Sequence, residues 1–234
     1  MNKVAVFSSK KYDQTFIERF NQNTSLQFEF FDSKLSSETV HLAQGFSAVC
    51  IFVNDDVNKF VLATLHQFGI KIIALRCAGF NNVDIEQAKT LGFILCRVPE
   101  YSPEAVAEHT VGLMLTLSRK FHKAYNRVRD DNFSLDGLMG FNLHQKTVGI
   151  IGTGNIGLAT LKILKGFGCK LLASDPIVNS NAVVLGVEYV SFEHLIQQSD
   201  IVSLHCPLTL QTKHLINEDT ISKMKPNAML INTS

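Results

Sequence analysis

The sequence predicts an α/β protein built on parallel sheets, and three observations carry that reading. Short β-branched runs alternate with helical periodicity from the first residues. The run Ala48-Val49-Cys50-Ile51-Phe52-Val53 is apolar throughout, as a strand buried on both faces must be. One strand–turn–helix carries the spacing G-x-G-x-x-G, Gly152 to Gly157.

Taken in order, a strand is expected at Val4 to Ser8, a helix from about Asp13 to Phe20, a strand near Leu26 to Phe30 and a short helix after Ser36. The apolar run from Ala48 is the next strand, followed by a helix over Lys59 to Phe68 that Gly69 ends. Ile70 to Leu75 reads as a strand that runs into the loop Arg76-Cys77-Ala78-Gly79-Phe80-Asn81-Asn82, and Val83-Asp84 opens a helix. Ligands of open α/β sheets gather at such carboxyl strand ends. Val98-Pro99-Glu100-Tyr101-Ser102-Pro103 then interrupts the alternation and marks a domain crossing, giving one lobe over residues 1–100 and a second over 101–234.

Ser102 suits an N-cap, Pro103 the first helical position and Glu104 the positive end of the dipole, so a helix starts there. Its stripe Val106, Thr110, Leu113, Leu117 and Phe121 predicts continuation to about Tyr125, with Val111, Met114 and Leu115 widening the apolar surface. A buried core helix and a subunit face both fit that pattern. Arg127 to Gln145 reads as irregular. From Lys146 a second α/β unit begins, with strands at Thr147 to Ile151, Lys170 to Ser174, Gly186 to Val190, Asp200 to Leu204 and Ala228 to Asn232. The helix after the first of these is expected to turn Ile156, Ala159, Ile163 and Phe167 inward.

Composition narrows the function classes. In 234 residues 46% are hydrophobic and 18% charged, which provides a large core and excludes intrinsic disorder. The net charge is +1 and no run of like charge is long enough to track a phosphate backbone, so no nucleic-acid partner is expected. No apolar stretch approaches the roughly 18 residues of a spanning helix, and the apolar run at the start is too short for a signal peptide. A soluble, cytoplasmic protein with no membrane partner is the expectation. Cys50, Cys77, Cys96, Cys169 and Cys206 are widely spaced without a CxxC pair, so they read as reduced core or loop residues, and no metal site is expected.

The glycine motif carries the chemistry. Gly152 permits a tight turn, Gly154 lets the backbone approach a pyrophosphate, and Gly157 lets helix and strand pack closely, while the helix N-terminus offers N–H groups and a positive dipole. The following strand ends at Asp175, placed to accept hydrogen bonds from the adenosine ribose hydroxyls and to repel a 2′-phosphate. The expected cofactor is therefore NAD rather than NADP.

At this point four segments resemble one family. They are Ala74 to Asp84, Pro103-Glu104-Ala105-Val106-Ala107-Glu108-His109, Gly152 to Gly157, and Leu204-His205-Cys206-Pro207-Leu208-Thr209. Across essentially the whole chain the sequence is similar to the NAD-dependent D-2-hydroxyacid dehydrogenases, and within them to the bacterial fermentative D-lactate dehydrogenases. The resemblance implies a flavodoxin-like substrate lobe, a doubly wound Rossmann lobe that binds NAD, and an active site in the cleft between them. It implies that Cys77, Ala78 and Gly79 offer backbone N–H groups to the substrate carboxylate and that Tyr101 turns its hydroxyl toward the substrate. An ordinary strand-end turn is the plainer reading of that loop, although glycine-containing loops also make anion nests. By the same resemblance Asn155 and Ile156 meet the pyrophosphate, Asp175 the ribose, Cys206, Pro207 and Thr212 line the cofactor site, and Thr233 and Ser234 stand beside the nicotinamide end. For Thr212 a plain surface loop position fits as well.

Reducing a 2-keto acid needs a hydride donor, a cation that polarises the carbonyl and a general acid. In the family the cation is an arginine directly after the Asn-Thr-Ser segment, and the acid a histidine paired with a glutamate further downstream. The chain ends at Ser234. No catalytic residue is therefore expected within it, and the expectation is an Rossmann lobe lacking its last part, an exposed fifth strand prone to aggregation, and a product inert on its own. His205 reads as structural, His109 lacks an acidic orienter, and Arg76 is a possible but unsupported cation. The leading reading is an enzyme that reduces pyruvate to D-lactate with NADH, a homodimer or tetramer. The alternative is a non-catalytic NAD-binding or interaction fragment of the same family.

Overall fold

The computed structural model describes residues 2–99 and 102–234, arranged as two compact units that divide after Tyr101. The first holds β1 (Lys3–Val6), α1 (Lys11–Phe20), β2 (Gln27–Phe30), a 3₁₀ turn at Val40–Ala43, β3 (Ala48–Ile51), α2 (Lys59–Gln67), β4 (Ile72–Leu75), α3 (Ile85–Thr90) and β5 (Ile94–Arg97). All five strands are parallel, in the order β2-β1-β3-β4-β5. That is the flavodoxin-like doubly wound order. One sheet face packs on α2 and α3, where Ala5, Phe7, Val49, Ile51, Ile73 and Leu75 meet Val61, Leu62, Leu65 and Ala88. The other face carries the row Val4, Ala48, Ile72, Ile94. Ile17 of α1 packs on Val4, Val6 and Cys50, while Ile72 and Ile94 stay 41% and 57% exposed.

β5 departs from the sequence reading, which placed no strand between Gly92 and the hinge. Its four residues, Ile94-Leu95-Cys96-Arg97, sit at the sheet edge and none is buried; the apolar run Phe93 to Cys96 is its signal in the sequence, and that reading passes over it. Cys96 is accordingly exposed rather than embedded in apolar surroundings.

The second unit holds α4 (Pro103–Arg119), α5 (Phe121–Arg129), β6 (Thr147–Ile151), α6 (Asn155–Gly166), β7 (Lys170–Ser174), α7 (Ser180–Val184), β8 (Glu188–Tyr189), α8 (Phe192–Gln198), β9 (Ile201–Leu204), α9 (Glu218–Ser222) and β10 (Met229–Asn232). Its sheet is also wholly parallel, ordered β10-β9-β6-β7-β8. Counted within the unit this is 3-2-1-4-5, the Rossmann order, with the topological switch between β6 and β9. β10 stands at the end of the sheet, its Ile231 buried and its Leu230 38% exposed.

α4 begins as the sequence predicts: the Ser102 hydroxyl accepts from the Ala105 N–H at 3.1 Å and Pro103 follows. It ends earlier than predicted. Lys120 takes a left-handed backbone conformation, φ 58°, which closes α4 and starts α5 as a separate helix. The buried face of α4 is Ala107, Thr110, Val111, Met114 and Ser118, so Leu117 and Phe121 of the expected inner stripe face solvent instead, 41% and 53% exposed. α6 is phased differently too. Gly157, Thr160, Leu161 and Leu164 are its buried residues, while Ile156, Ala159, Ile163 and Phe167 are only partly covered. Gly157 sets that phase, because a Cβ there would stand 2.0 Å from the Gly152 carbonyl oxygen. Leu161 and Leu164 then meet Val111 and Met114 of α4 above Val148 and Ile150.

Candidate functional site

In the second unit every loop singled out from sequence leaves the carboxyl edge of the parallel sheet. Gly152, Thr153 and Gly154 follow β6, Asp175 follows β7, His205, Cys206 and Pro207 follow β9, and Thr233 and Ser234 follow β10. Gly152 has φ +94°, and a Cβ on it would lie 2.5 Å from the His205 carbonyl oxygen, so this glycine lets the β6 and β9 loops close together at the switch point. Gly154 is the N-cap of α6 and no side chain caps the helix there. Nothing lies within 4 Å of the position its Cβ would take. An uncapped helix N-terminus beside open space suits the pyrophosphate of a dinucleotide. Asn155 and Ile156 form the first turn of α6.

Asp175 is held rather than free. Its Oδ2 accepts from the Thr153 N–H at 2.6 Å and from the Thr153 hydroxyl at 3.2 Å, and its Oδ1 accepts from the Ile177 N–H at 2.8 Å. The Asn179 side-chain amide donates to the Thr153 carbonyl at 2.8 Å, and the Tyr189 hydroxyl donates to Thr153 Oγ1 at 2.9 Å. Thr153, Asn179 and Tyr189 escaped sequence reasoning. Thr153 is the variable position of the glycine motif and the other two sit in a loop and a two-residue strand, so only the fold reveals their convergence on Asp175.

The remaining cofactor-side residues have local partners. Thr212 Oγ1 donates to the Pro207 carbonyl at 2.6 Å and accepts from the Thr209 N–H at 2.7 Å, closing the 207–212 loop. Thr233 Oγ1 lies 2.9 Å from Thr110 Oγ1 of α4, and Ser234 Oγ donates to the Leu204 carbonyl at 3.1 Å. Burial pushes the Cys206 thiol pKa up. His205 is structural in its surroundings: Nε2 lies 3.0 Å from Ser203 Oγ and burial lowers its pKa to about 4, so it is neutral at pH 7. Among the described residues no histidine lies in ion-pair range of a carboxylate.

In the first unit the Cys77-Ala78-Gly79 loop leaves the carboxyl end of β4. Its carbonyls face protein donors: Cys77 Sγ donates to Gly79 O at 3.2 Å and Arg97 Nη1 to Ala78 O at 3.0 Å. Among the described residues none accepts a hydrogen bond from the Cys77, Ala78 or Gly79 N–H. With the Ala78 and Gly79 carbonyls engaged by protein donors, the N–H groups of this loop are the ones that an anion would meet. Burial raises the Cys77 thiol pKa, against a downward pull from Arg76, so the loop carries no thiolate charge at pH 7. Arg97 was not foreseen; its guanidinium also lies 5.5 Å from the Phe80 ring centroid. Arg76 is committed elsewhere. Its Nη atoms donate to the Phe7, Ser8 and Cys50 carbonyls at 3.1 to 3.4 Å, and its Nε lies 3.4 Å from Asp13 Oδ1. Tyr101 lies outside the described residues.

A Rossmann-ordered sheet with an open glycine turn and a fixed acidic residue at its second strand defines a dinucleotide-binding protein. Residues 111–234 match the NAD-binding domain of the D-isomer-specific 2-hydroxyacid dehydrogenases. D-lactate dehydrogenase of Escherichia coli K12 is 54% identical over 99% of this chain and 70% of that protein. The apo structure of the E. coli enzyme superposes with a TM-score of 0.92 at 54% identity, over 99% of this chain and 73% of that one. The Aquifex aeolicus D-lactate dehydrogenase solved with NAD and lactic acid superposes at 0.86 with 33% identity, over 99% and 68% of the two chains. The chain belongs to the D-isomer-specific 2-hydroxyacid dehydrogenase family, NAD-dependent oxidoreductases.

Proposed function

We propose that the protein is a D-lactate dehydrogenase that reduces pyruvate to D-lactate. Bound NADH supplies the hydride. The observation that carries the cofactor half of this reading is Asp175, whose two oxygens are fixed by Thr153 and Ile177 beside the open Gly154 turn. Gly152, Gly154, Asn155, Ile156 and Gly157 would hold the pyrophosphate, Asp175 the ribose, and Cys206, Pro207, Thr212, Thr233 and Ser234 the nicotinamide half. For the substrate half, the Cys77, Ala78 and Gly79 N–H groups would take the carboxylate, with the Tyr101 hydroxyl beside them. In this reading residues 1–100 form the substrate lobe and 101–234 the NAD lobe of a cytoplasmic homo-oligomer, without nucleic-acid or membrane partners.

A non-catalytic NAD-binding protein of the same family is the second reading; His144 Nδ1 and His205 Nε2 meet the Phe167 carbonyl and the Ser203 hydroxyl rather than a carboxylate. The sequence has no Trp, so binding is followed by the fluorescence of NADH itself. NADH should bind more tightly than NADPH, and Asp175→Ala should weaken NADH about tenfold and narrow the gap between the cofactors, the size of one lost charge-assisted contact. Equal binding of both cofactors by the parent and the variant would remove the ribose assignment. Pyruvate-dependent loss of NADH absorbance at a normal dehydrogenase rate supports the first reading and would refute the non-catalytic one.

A further inference from the structure

The carboxylate of Asp175 is the last acceptor of a directed chain of hydrogen bonds that starts at Asn179 in the same loop and runs through Tyr189 of β8 and Thr153 of the β6 turn. The Asn179 N–H donates to the Tyr189 hydroxyl oxygen at 2.9 Å, the Tyr189 O–H to Thr153 Oγ1 at 2.9 Å, and the Thr153 O–H to Asp175 Oδ2 at 3.2 Å. The direction is forced by its two ends. A backbone N–H can only donate and an ionised carboxylate can only accept, so each hydroxyl between them, having one proton, must pass it toward Asp175. Bonds aligned in this way polarise one another, which strengthens the last of them. Thr153 is 2% exposed, so its hydroxyl has no solvent partner to replace the tyrosine.

We propose that Tyr189 is a positioning residue for cofactor selectivity, acting through Thr153 to fix the plane of the Asp175 carboxylate. This rests on the reading of Asp175 as the ribose-side carboxylate. With Oδ2 held by both donors of Thr153 and Oδ1 by the Ile177 N–H, the carboxylate cannot turn away from the space beyond β7. A ribose hydroxyl finds the spare lone pair of Oδ1, both of Oδ2 being taken by Thr153. A 2′-phosphate meets a negative charge that is unable to retreat. Without the phenol, Thr153 Oγ1 loses its donor and its rotamer is no longer set, so the second hold on Oδ2 is weakened and the carboxylate keeps only the Thr153 and Ile177 N–H groups. Hydrogen bonds to the ribose then weaken while repulsion of the phosphate relaxes.

The test uses the 234-residue protein with NADH and NADPH titrated separately by cofactor fluorescence, alongside thermal melts. Tyr189→Phe and Thr153→Val should each raise the NADH Kd about three- to tenfold, the range of one net hydrogen bond, and leave the NADPH Kd unchanged or lower. Thr153→Ser keeps the hydroxyl and should restore the parental NADPH-to-NADH ratio. A merely structural tyrosine predicts an equal weakening of both cofactors, in step with a lower melting temperature, and that result overturns the proposal. Asp175→Ala separates the two levels of the argument. If it shifts the cofactor ratio while Tyr189→Phe and Thr153→Val do not, the positioning role fails and the ribose reading stands; if it shifts nothing, both fail.

Discussion

At the scale of single residues, the glycines of the motif do separable jobs, and the geometry tells them apart. A Cβ on Gly157 would sit 2.0 Å from a backbone oxygen, whereas one on Gly154 would meet nothing within 4 Å. Gly154 also has φ −63°, a conformation any residue adopts. Gly157→Ala should therefore destabilise the fold by about 3 kcal/mol, the upper range of an overpacked contact, because backbone cannot give way as a flexible side chain does. Gly154→Ala should cost no more than about 1 kcal/mol, as expected for a helix N-cap, yet weaken NADH binding tenfold or more by filling the space the pyrophosphate needs. Urea midpoints and NADH titrations check both. A Gly154→Ala protein that binds NADH normally would take the pyrophosphate away from this turn. Arg76 shows the opposite case, a charged residue beside the β4 loop whose Nη atoms are engaged by three backbone carbonyls of β1, β3 and their loops. Sequence could place it next to the Cys77-Ala78-Gly79 loop but could not say where its guanidinium points.

At the scale of elements, what was legible in the sequence is what local physics decides alone. Ser102, Pro103 and Glu104 start α4 because caps and dipoles act within one turn. The strands β3, β6 and β9 read clearly because burial on both faces leaves mostly apolar side chains. What stayed hidden depends on the folded geometry of a turn or on partners distant in sequence. The phase of α6 is dictated by the Gly152 carbonyl rather than by its own apolar stripe. The Thr153, Asn179 and Tyr189 network needs β6, β7 and β8 in register. The break at Lys120 was illegible for another reason: a helix that ends in a left-handed residue usually signals itself with glycine, and here a lysine occupies the position at φ 58°. That conformation costs an L-residue roughly 1 kcal/mol, so Lys120→Gly should stabilise the protein by about 0.5–1 kcal/mol. Lys120→Val should do the reverse, its branched Cβ being worse there still. A Lys120→Gly variant with a lower urea midpoint would mean that the break is imposed by packing and carries no backbone strain.

At the scale of the molecule, two parallel sheets of five strands each close their own cores, and the cofactor-side residues belong to one of them. The carboxyl-edge loops of the second sheet join strands that are not neighbours in sequence: the β6 turn touches the β9 loop through Gly152 and His205, and the β6 turn is tied to the β7 and β8 ends through Thr153. Ligand bound across those loops therefore acts on β6, β7, β8 and β9 together, and through the Thr110–Thr233 contact on α4 and the end of β10. The first sheet has a different weakness, an apolar row whose Ile72 and Ile94 stand 41% and 57% exposed on the face that α1 only partly covers. Binding to the native state stabilises whatever must open to release the ligand, by about 2.7 kcal/mol at a hundredfold excess over Kd. Amide exchange reports that gain strand by strand. With saturating NADH, amides of β6, β7, β9 and the first turns of α6 should slow by up to about a hundredfold, while those of β4 and β5 keep the rates of the free protein. A uniform slowing of both sheets would mean that the two cores open as one cooperative unit, and slowing confined to β3, β4 and β5 would place the cofactor on the wrong sheet.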